Sequence, residues 1–396
     1  MSKVFVTGVG VISAIGNTLA ENHMSLQQGR CGLSTSGNLP TRYAGILPFG
    51  EVGIDDGTLR EKLRVQDPGV TRTSLLALHA LKEAIRDAGM IPSQLGAGDT
   101  ALVSANTVGG MCLMDELYRD VNRDANGSVF LSSYDPASIN IYLQSYYGIK
   151  GIVNTIDTAC SSAANAIMYG ARLIRNGLAK RVLAGGADSL SKFTINGFNA
   201  LHILSPEICT PFDRDRKGLT LGEGAAFLVL EREEDIRDKK VYAEVSGFAN
   251  STDAFHPSSL SAEGEGPYLA MKGALASAGL KEDKIDFINA HGTGTENNDE
   301  VESRAMIRLF GEPPPFLSTK ANIGHTLGAS GAIEAVYTLL SLVHQEVYAG
   351  LHCKHPIPGT GLLPIQAYRR LPLHHAMSNS FGFGGNCTSL IFSKAR

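Results

Sequence analysis

A β-branched run followed at once by an alanine-rich run, residues 152–177, constrains the fold more than any other stretch. Residues 152–156 are typical of a short buried strand, and apolar residues then recur at helical spacing as far as Ile174. Gly177 ends the predicted helix, because glycine readily adopts the left-handed conformation found at helix C-termini. The segment therefore predicts a buried strand that turns directly into a helix.

Cys160 lies in the turn between this strand and helix. Unpaired backbone N–H groups and the positive end of the helix dipole favour a thiolate over a thiol at such a position. We therefore expect Cys160 to be a nucleophile. The alternative is that it is a small buried hydrophobic residue, as most free cysteines are.

The same pattern of strand, motif and alanine-rich helix recurs in the second half of the chain. The run 317–325 ends at His325, and a helix is predicted over 328–342. Between the two copies, the charge run 231–240 is the best internal boundary. The sequence thus predicts two similar αβ halves, residues 1–235 with the cysteine and residues 236–396 with two histidines.

Composition narrows the partners and the compartment. The 396 residues carry a net charge of −4, which argues against nucleic acid or an anionic membrane as the main partner. Six scattered cysteines favour a reducing cytoplasm over a disulfide framework. We expect no membrane-spanning stretch, and no metal site, because the His352-Cys353-Lys354-His355 run lacks a second ligand cluster.

Two histidines complete a candidate site for acyl transfer. His291 and His325 each follow a predicted strand beside a glycine, and Lys320 lies close to His325 in sequence. A cysteine protease needs one base histidine with an orienting amide. Two histidines near a lysine are better suited to hold a thioester carbonyl while negative charge develops on its oxygen.

Five motifs along essentially the whole chain carry a family resemblance. They are Asp157–Ser162 around the cysteine, Pro211–Asp213 with Gly222–Gly224, His291–Thr295, Ser318–Lys320 with Gly324, His325 and Gly328, and Asn379–Gly385. With these motifs the chain resembles the elongating β-ketoacyl-[acyl-carrier-protein] synthases of the thiolase-like superfamily. The resemblance implies an α/β fold of five layers, αβαβα, built from two similar halves.

The resemblance also implies catalytic roles. Cys160 would hold the acyl chain as a thioester. His291 and His325 would bind the malonyl thioester carbonyl and stabilise the enolate formed as carbon dioxide leaves. The backbone N–H groups of Cys160 and Phe383 would form the oxyanion hole, Phe383 would also belong to a gating loop, and Lys320 would give electrostatic support.

Further residues match supporting and substrate-binding positions of the family. Those for substrate are Thr293 and Thr295 on the phosphopantetheine arm, Val108 in the acyl pocket, and Phe381. Those for support are Glu334, as the buried partner of Lys320, together with Asp299 and Glu302. Helix capping and surface charge are the alternative for these three acidic residues. No cofactor is implied beyond the phosphopantetheine arm of acyl carrier protein.

Departures from the common family pattern leave the pathway open. Gly294 and Glu296 stand where housekeeping fatty-acid synthases more often have serine and proline, and this form resembles ketosynthase subunits of polyketide and aryl polyene pathways. Lys217 and Leu219 replace an aspartate and a phenylalanine, and Val108 replaces a larger isoleucine. We favour fatty-acid synthesis, with a type II polyketide or aryl polyene pathway as the alternative.

Two other classes of relative fit the sequence less well. A non-catalytic chain-length factor would lack Cys160, and a priming synthase would have one histidine and one asparagine in place of the His291 and His325 pair. The resemblance implies a homodimer in which residues 133–141 reach toward the partner's acyl pocket. A heterodimer with an inactive relative is the alternative.

A basic stretch from Arg60 to Arg72 is a candidate docking patch for an acidic partner, against the alternative of an ordinary solvated surface.

Overall fold

The computed structural model describes residues 2–237 and 239–395, and the helices and strands below are those of these residues. The strands are β1 Val4–Ile12, β2 Phe49–Gly50, β3 Thr100–Ala105, β4 Val153–Ile156, β5 Arg181–Asp188, β6 Leu221–Gly222, β7 Gly224–Arg232, β8 Ala243–Thr252, β9 Phe287–Asn289, β10 Phe316–Leu317, β11 Glu346–Val347, β12 Arg369–Arg370, β13 His375–Phe381 and β14 Asn386–Ser393. The helices are α1 Leu19–Gln27, α2 Asp56–Leu63, α3 Arg72–Asp87, α4 Pro92–Leu95, α5 Met114–Val121, α6 Ser138–Tyr147, α7 Ser162–Arg175, α8 Lys192–Ala200, α9 Glu265–Ala278, α10 Glu296–Phe310, α11 Lys320–Ile323 and α12 Ser330–His344.

The main sheet contains the same five-strand arrangement twice. Its strand order is β10-β9-β13-β14-β8-β1-β7-β5-β3-β4. In the first half, β4, β3 and β5 run parallel to one another, and β7 runs antiparallel to both of its neighbours, β5 and β1. In the second half, β10, β9 and β13 run parallel to one another, and β14 runs antiparallel to both of its neighbours, β13 and β8. The two sets meet where Phe5 and Val6 of β1 pair with Glu244 and Ala243 of β8.

Helices cover both sets of strands and also lie between them. Helix α3 packs on β1 and β7, and α9 packs on β8 and β14. Helices α7 and α12 pack against each other and contact strands of both halves. The layers therefore run α3, first strand set, α7 with α12, second strand set, α9, and the predicted five-layer thiolase-like fold is confirmed.

Glycines permit two close approaches in these layers. A Cβ at Gly10 in β1 would lie 2.1 Å from the Ala80 carbonyl oxygen of α3. A Cβ at Gly331 in α12 would lie 2.6 Å from the Ala164 nitrogen of α7. Distances this short exclude a side chain, so these glycines let the outer helix approach its sheet and let the two middle helices touch.

Element boundaries follow the sequence with a few differences. The predicted strand over 242–247 continues to Thr252, because β14 pairs with it along that whole length. The predicted strand over 285–290 is shorter, at Phe287–Asn289. The predicted boundary at 235/236 falls between β7 and β8. All six cysteines are free thiols, as expected.

One segment of the described residues bears on the expectation that no stretch spans a membrane. The segment Leu327–His344 is long and apolar enough by composition, but 89% of it is buried inside the fold. It contains α12, which packs between the two sets of strands. Its hydrophobicity is therefore explained by its place in the middle layer.

Candidate active site

The structure brings Cys160, His291 and His325 together from three loops. Cys160 follows β4 and precedes α7, His291 follows β9, and His325 follows the short helix α11. One ligand atom from each side chain lies within 4.8 Å of the other two, and all three residues are buried. The two imidazole rings meet edge to face, with centroids 5.5 Å apart.

The turn that carries Cys160 is strained and firmly held. Ala159, just before it, has φ of +53°, a left-handed conformation that costs energy for a residue with a side chain. The Thr158 N–H donates to Ser162 Oγ at 2.8 Å. The Ser161 hydroxyl donates to Asn386 Oδ1 at 2.7 Å, which ties the turn to the end of the Phe383 loop.

The expected preference for a thiolate at Cys160 was wrong for the free enzyme. Burial raises the pKa of this thiol to about 11, although the Phe383 N–H and the Lys320 charge act to lower it. Helix α7 begins at Ser162, so Cys160 precedes its first turn. Loss of solvation therefore outweighs the nearby positive groups, and the resting thiol is protonated at neutral pH.

A carboxylate holds the backbone of His291, and a lysine contacts its ring. The backbone N–H of His291 donates to Glu302 Oε1 at 2.9 Å. The Lys320 ammonium lies 3.2 Å from its Nδ1. Because an ammonium can only donate, Nδ1 must accept, and the ring proton of the neutral imidazole lies on Nε2. Burial and the charge of Lys320 lower the pKa of His291 well below its usual value, so the ring is neutral.

His325 reaches the same protonation state by other contacts. The Leu327 N–H donates to its Nδ1 at 3.0 Å, so the ring proton again lies on Nε2. Burial and Lys320 lower its pKa well below the usual value. Both rings therefore offer an N–H donor.

The carboxylates predicted to support the site are all buried. Glu334 forms an ion pair with Lys320, whose Nζ also donates to the His291 carbonyl at 2.6 Å. Burial raises the pKa of Glu334 to about 7 despite the attraction of Lys320. Asp299 accepts from the backbone N–H of Thr293 at 2.9 Å, as Glu302 does from His291. Surface charge, one part of the alternative for these three residues, was wrong, because all three are buried.

Cys160 lies between two cavities. The first, of about 480 Å³, is lined by His291 and His325, by the predicted substrate residues Thr293, Thr295 and Phe381, and by Lys217 and Leu219. The second, of about 430 Å³, is largely apolar and is lined by Val108, Leu327, Phe193 and Leu201. Phe383 and Phe198 line both, and their rings stack with centroids 5.9 Å apart.

Two residues with clear roles in this geometry, Phe198 and Asp188, were missed by sequence reasoning. Phe198 stacks on Phe383. Asp188 accepts from the N–H groups of Thr107 at 3.1 Å and Gly328 at 2.7 Å. These two hydrogen bonds join the wall of the apolar cavity to the turn that precedes α12. Asp188 ends a buried strand, and a charged residue at that position was the one available signal.

The sequence matches two descriptions of one family. Residues 1–236 match "Beta-ketoacyl synthase, N-terminal domain" and residues 242–354 match "Beta-ketoacyl synthase, C-terminal domain". A 3-oxoacyl-[acyl-carrier-protein] synthase 2 from Vibrio cholerae is 33% identical over 99% of this chain and 99% of its own length.

Solved structures resemble the fold over its full length. A chain of the ishigamide ketosynthase/chain length factor superposes with a TM-score of 0.93 and 29% identity, covering 100% of both chains. A ketosynthase in complex with its chain length factor from Xenorhabdus doucetiae gives a TM-score of 0.86 and 33% identity, covering 100% of this chain and 98% of that one.

Proposed function

Since the chain belongs to the β-ketoacyl synthase family, we propose that Cys160, His291 and His325 divide its condensation reaction between them. The chain is an acyltransferase of the 3-oxoacyl-[acyl-carrier-protein] synthase type. The observation that carries the assignment of roles is the convergence of one thiol and two neutral N–H donors between two cavities. The mixed cavity suits the carrier arm, and the apolar cavity suits the acyl chain.

In the first half-reaction Cys160 takes the acyl group. Its sulfur attacks the thioester carbonyl carbon of acyl carrier protein, a new C–S bond forms, and the bond to the pantetheine sulfur breaks. The thiol proton leaves with the pantetheine sulfur, so charge balances. The N–H groups of Cys160 and Phe383 stabilise the oxyanion between these events. Because the thiol is protonated at rest, deprotonation belongs to this step.

In the second half-reaction the two histidines act on the malonyl thioester. Its carbonyl oxygen accepts hydrogen bonds from Nε2 of His291 and His325. The bond to the carboxylate carbon breaks, carbon dioxide leaves, and the electron pair forms an enolate. The enolate carbon then attacks the acyl carbon on Cys160, and the C–S bond breaks to give a β-ketoacyl product and the Cys160 thiolate. The thiolate takes up one proton from water, which restores the resting thiol. Neutral donors suit this step, because they stabilise the oxyanion without giving up a proton.

Acyl carrier protein is the proposed substrate carrier, and no cofactor beyond its phosphopantetheine arm takes part. Thr293 and Thr295 lie in the mixed cavity with their hydroxyls 2.9 Å apart, within reach of an amide of the arm. The name of the Vibrio cholerae relative supports fatty-acid synthesis as the setting, and we propose the cytoplasm as the compartment. The free thiols fit that compartment.

A dedicated polyketide or polyene pathway is the second candidate. Its support is the similarity in structure to chains from two complexes of a ketosynthase with a chain length factor. The Gly294 and Glu296 departures agree with it.

We also propose a dimer that forms along β4. This strand ends the sheet, and exposed apolar residues cluster near it in sequence, among them Leu131, Ile141, Tyr146 and Ile152. Phe193 and Leu201 leave one side of the apolar cavity exposed, where a second subunit would close it. The homodimer is favoured because this chain carries its own complete site. Light scattering on the pure chain tests the homodimer. A monomer would instead favour a heterodimer with an inactive partner subunit.

Intact-protein mass spectrometry tests the function. The enzyme is mixed with saturated and polyunsaturated acyl-carrier-protein thioesters, and malonyl-carrier protein is then added. We expect a saturated acyl adduct on Cys160 that is discharged as an elongated β-ketoacyl product. Loading by conjugated chains alone would assign the enzyme to a polyene pathway. Retention of the adduct by Cys160→Ala would disprove the nucleophile.

A further inference from the structure

The two catalytic histidines are oriented by different groups. At His291 the group that faces Nδ1 is the Lys320 ammonium, at 3.2 Å. At His325 two uncharged groups face Nδ1. One is the Leu327 N–H at 3.0 Å, and the other is the Ser330 hydroxyl at 3.1 Å.

The position of His325 leaves its ring little freedom. Its backbone N–H donates to the Thr220 carbonyl at 2.7 Å, and its carbonyl accepts from the Gly222 N–H at 2.9 Å. Leu327 adopts φ of +52°, a strained conformation in the turn that presents its N–H to Nδ1. A backbone N–H can only donate, so this contact alone places the ring proton on Nε2.

The direction of the Ser330 hydroxyl then follows. Nδ1 of His325 carries a lone pair, so Ser330 Oγ at 3.1 Å is favourable only when the hydroxyl donates. The Thr326 hydroxyl lies 3.1 Å from Ser330 Oγ, and Thr326 is completely buried. A chain in which Thr326 donates to Ser330 and Ser330 donates to His325 gives every polar atom a partner.

We propose that Ser330 is a positioning residue whose hydroxyl, backed by Thr326, donates a second hydrogen bond to His325 Nδ1 and so strengthens the Nε2–H donor. Electron density drawn toward Nδ1 makes the Nε2–H more acidic and a better donor to an enolate oxygen. Ser330 thus donates to Nδ1 of His325 as Lys320 donates to Nδ1 of His291, but it carries no charge. This inference rests on the proposed role of His325.

The test compares the two half-reactions in Ser330→Ala. Loss of one neutral hydrogen bond predicts condensation about threefold to tenfold slower, while acylation of Cys160 stays within about twofold of wild type. Ser330→Thr retains the hydroxyl and is expected to recover most of the rate. Ser341→Ala, a buried serine in the same helix, is the matched control and is expected to change neither half-reaction.

Nitrogen-15 NMR of labelled histidine gives a readout that a purely structural role would not move. We expect the Nδ1 shift of His325 to change in Ser330→Ala while the ring proton stays on Nε2. An unchanged shift with full condensation, or equal loss of both half-reactions, would overturn the inference. His325→Ala, which leaves no side-chain donor, separates the proposed role of His325 from that of Ser330. Condensation that survives in His325→Ala would overturn the proposed role of His325. Loss of condensation in His325→Ala together with full activity of Ser330→Ala would overturn only the role of Ser330.

Discussion

Replacement of Lys320 by methionine should separate the structural role of this lysine from its role in condensation. Its Nζ contacts Glu334, the His291 carbonyl and His291 Nδ1. The side chains of Lys320 and Glu334 are 1% and 2% exposed, so solvent screens the pair little. Removing one partner of such a pair costs about 3–5 kcal/mol. The Glu334 pKa is about 7 even beside the lysine, so without it the carboxyl takes up a proton, which places the loss near the lower figure.

The two readouts should respond differently. A loss of about 3 kcal/mol corresponds to a fall in Tm of roughly 6 °C at about 2 °C per kcal/mol for a large chain. Loss of the charged donor at His291 Nδ1, worth about 1.5–3 kcal/mol, should slow condensation by about 10-fold to 150-fold. Acylation of Cys160 should fall less, because Lys320 forms no hydrogen bond to the thiol among the described residues and acts on it only through its charge, which lowers the thiol pKa.

A second substitution provides the decisive comparison. Glu334→Leu added to Lys320→Met removes the buried carboxyl, and we expect at least half of the lost Tm to return while condensation stays slow. Lys239→Met is a control, because it removes a cation from another buried carboxylate, Glu231, which keeps Arg181 as a second partner. It should lower Tm without changing the ratio of the half-reactions. Condensation restored in the double variant would refute the electrostatic role of Lys320.

Two further predictions follow from the described geometry. The rate of alkylation of Cys160 by iodoacetamide should still rise about tenfold per pH unit between pH 8 and 9.5, because the thiol pKa is raised to about 11 from an ordinary value of 9.0. Peptide mass spectrometry measures this rate. A plateau below pH 9 would show a stabilised thiolate. Val108→Phe should fill the apolar cavity, so that short acyl chains still load on Cys160 and the longest wild-type substrates do not. A panel of acyl-carrier-protein thioesters of different chain lengths measures this loading. Unchanged loading across the panel would place the acyl chain elsewhere.

Sequence patterns located the three residues that converge in the structure where these residues lie close to the ends of predicted elements. Cys160 and His291 directly follow strands, and His325 lies between a strand and an alanine-rich helix, so each could be placed from its own neighbourhood. The doubled αβ pattern likewise predicted two halves, because each half repeats the same local signals. These features depend on contacts within a few tens of residues.

Features that depend on distant contacts could not be predicted in the same way. The pKa of Cys160 is set by burial, and the layers that bury it come from both halves of the chain. The Ser161–Asn386 hydrogen bond joins residues 225 positions apart. Asp188 joins loops 81 positions before it and 140 positions after it. No local pattern encodes such a partner, so the polar framework behind the site emerged only from the structure.

The doubled fold explains why the nucleophile and the donors come from opposite halves. Helices α7 and α12 follow the corresponding parallel strands of the two halves and pack together in the middle layer. Their N-terminal ends therefore meet, and this brings the Cys160 turn next to the His325 loop. Gly331 against Ala164 permits the contact. A reaction that needs an acyl group on one side and an enolate on the other thus occurs where two similar units meet, and the rigidity of the site depends on the packing of these two helices.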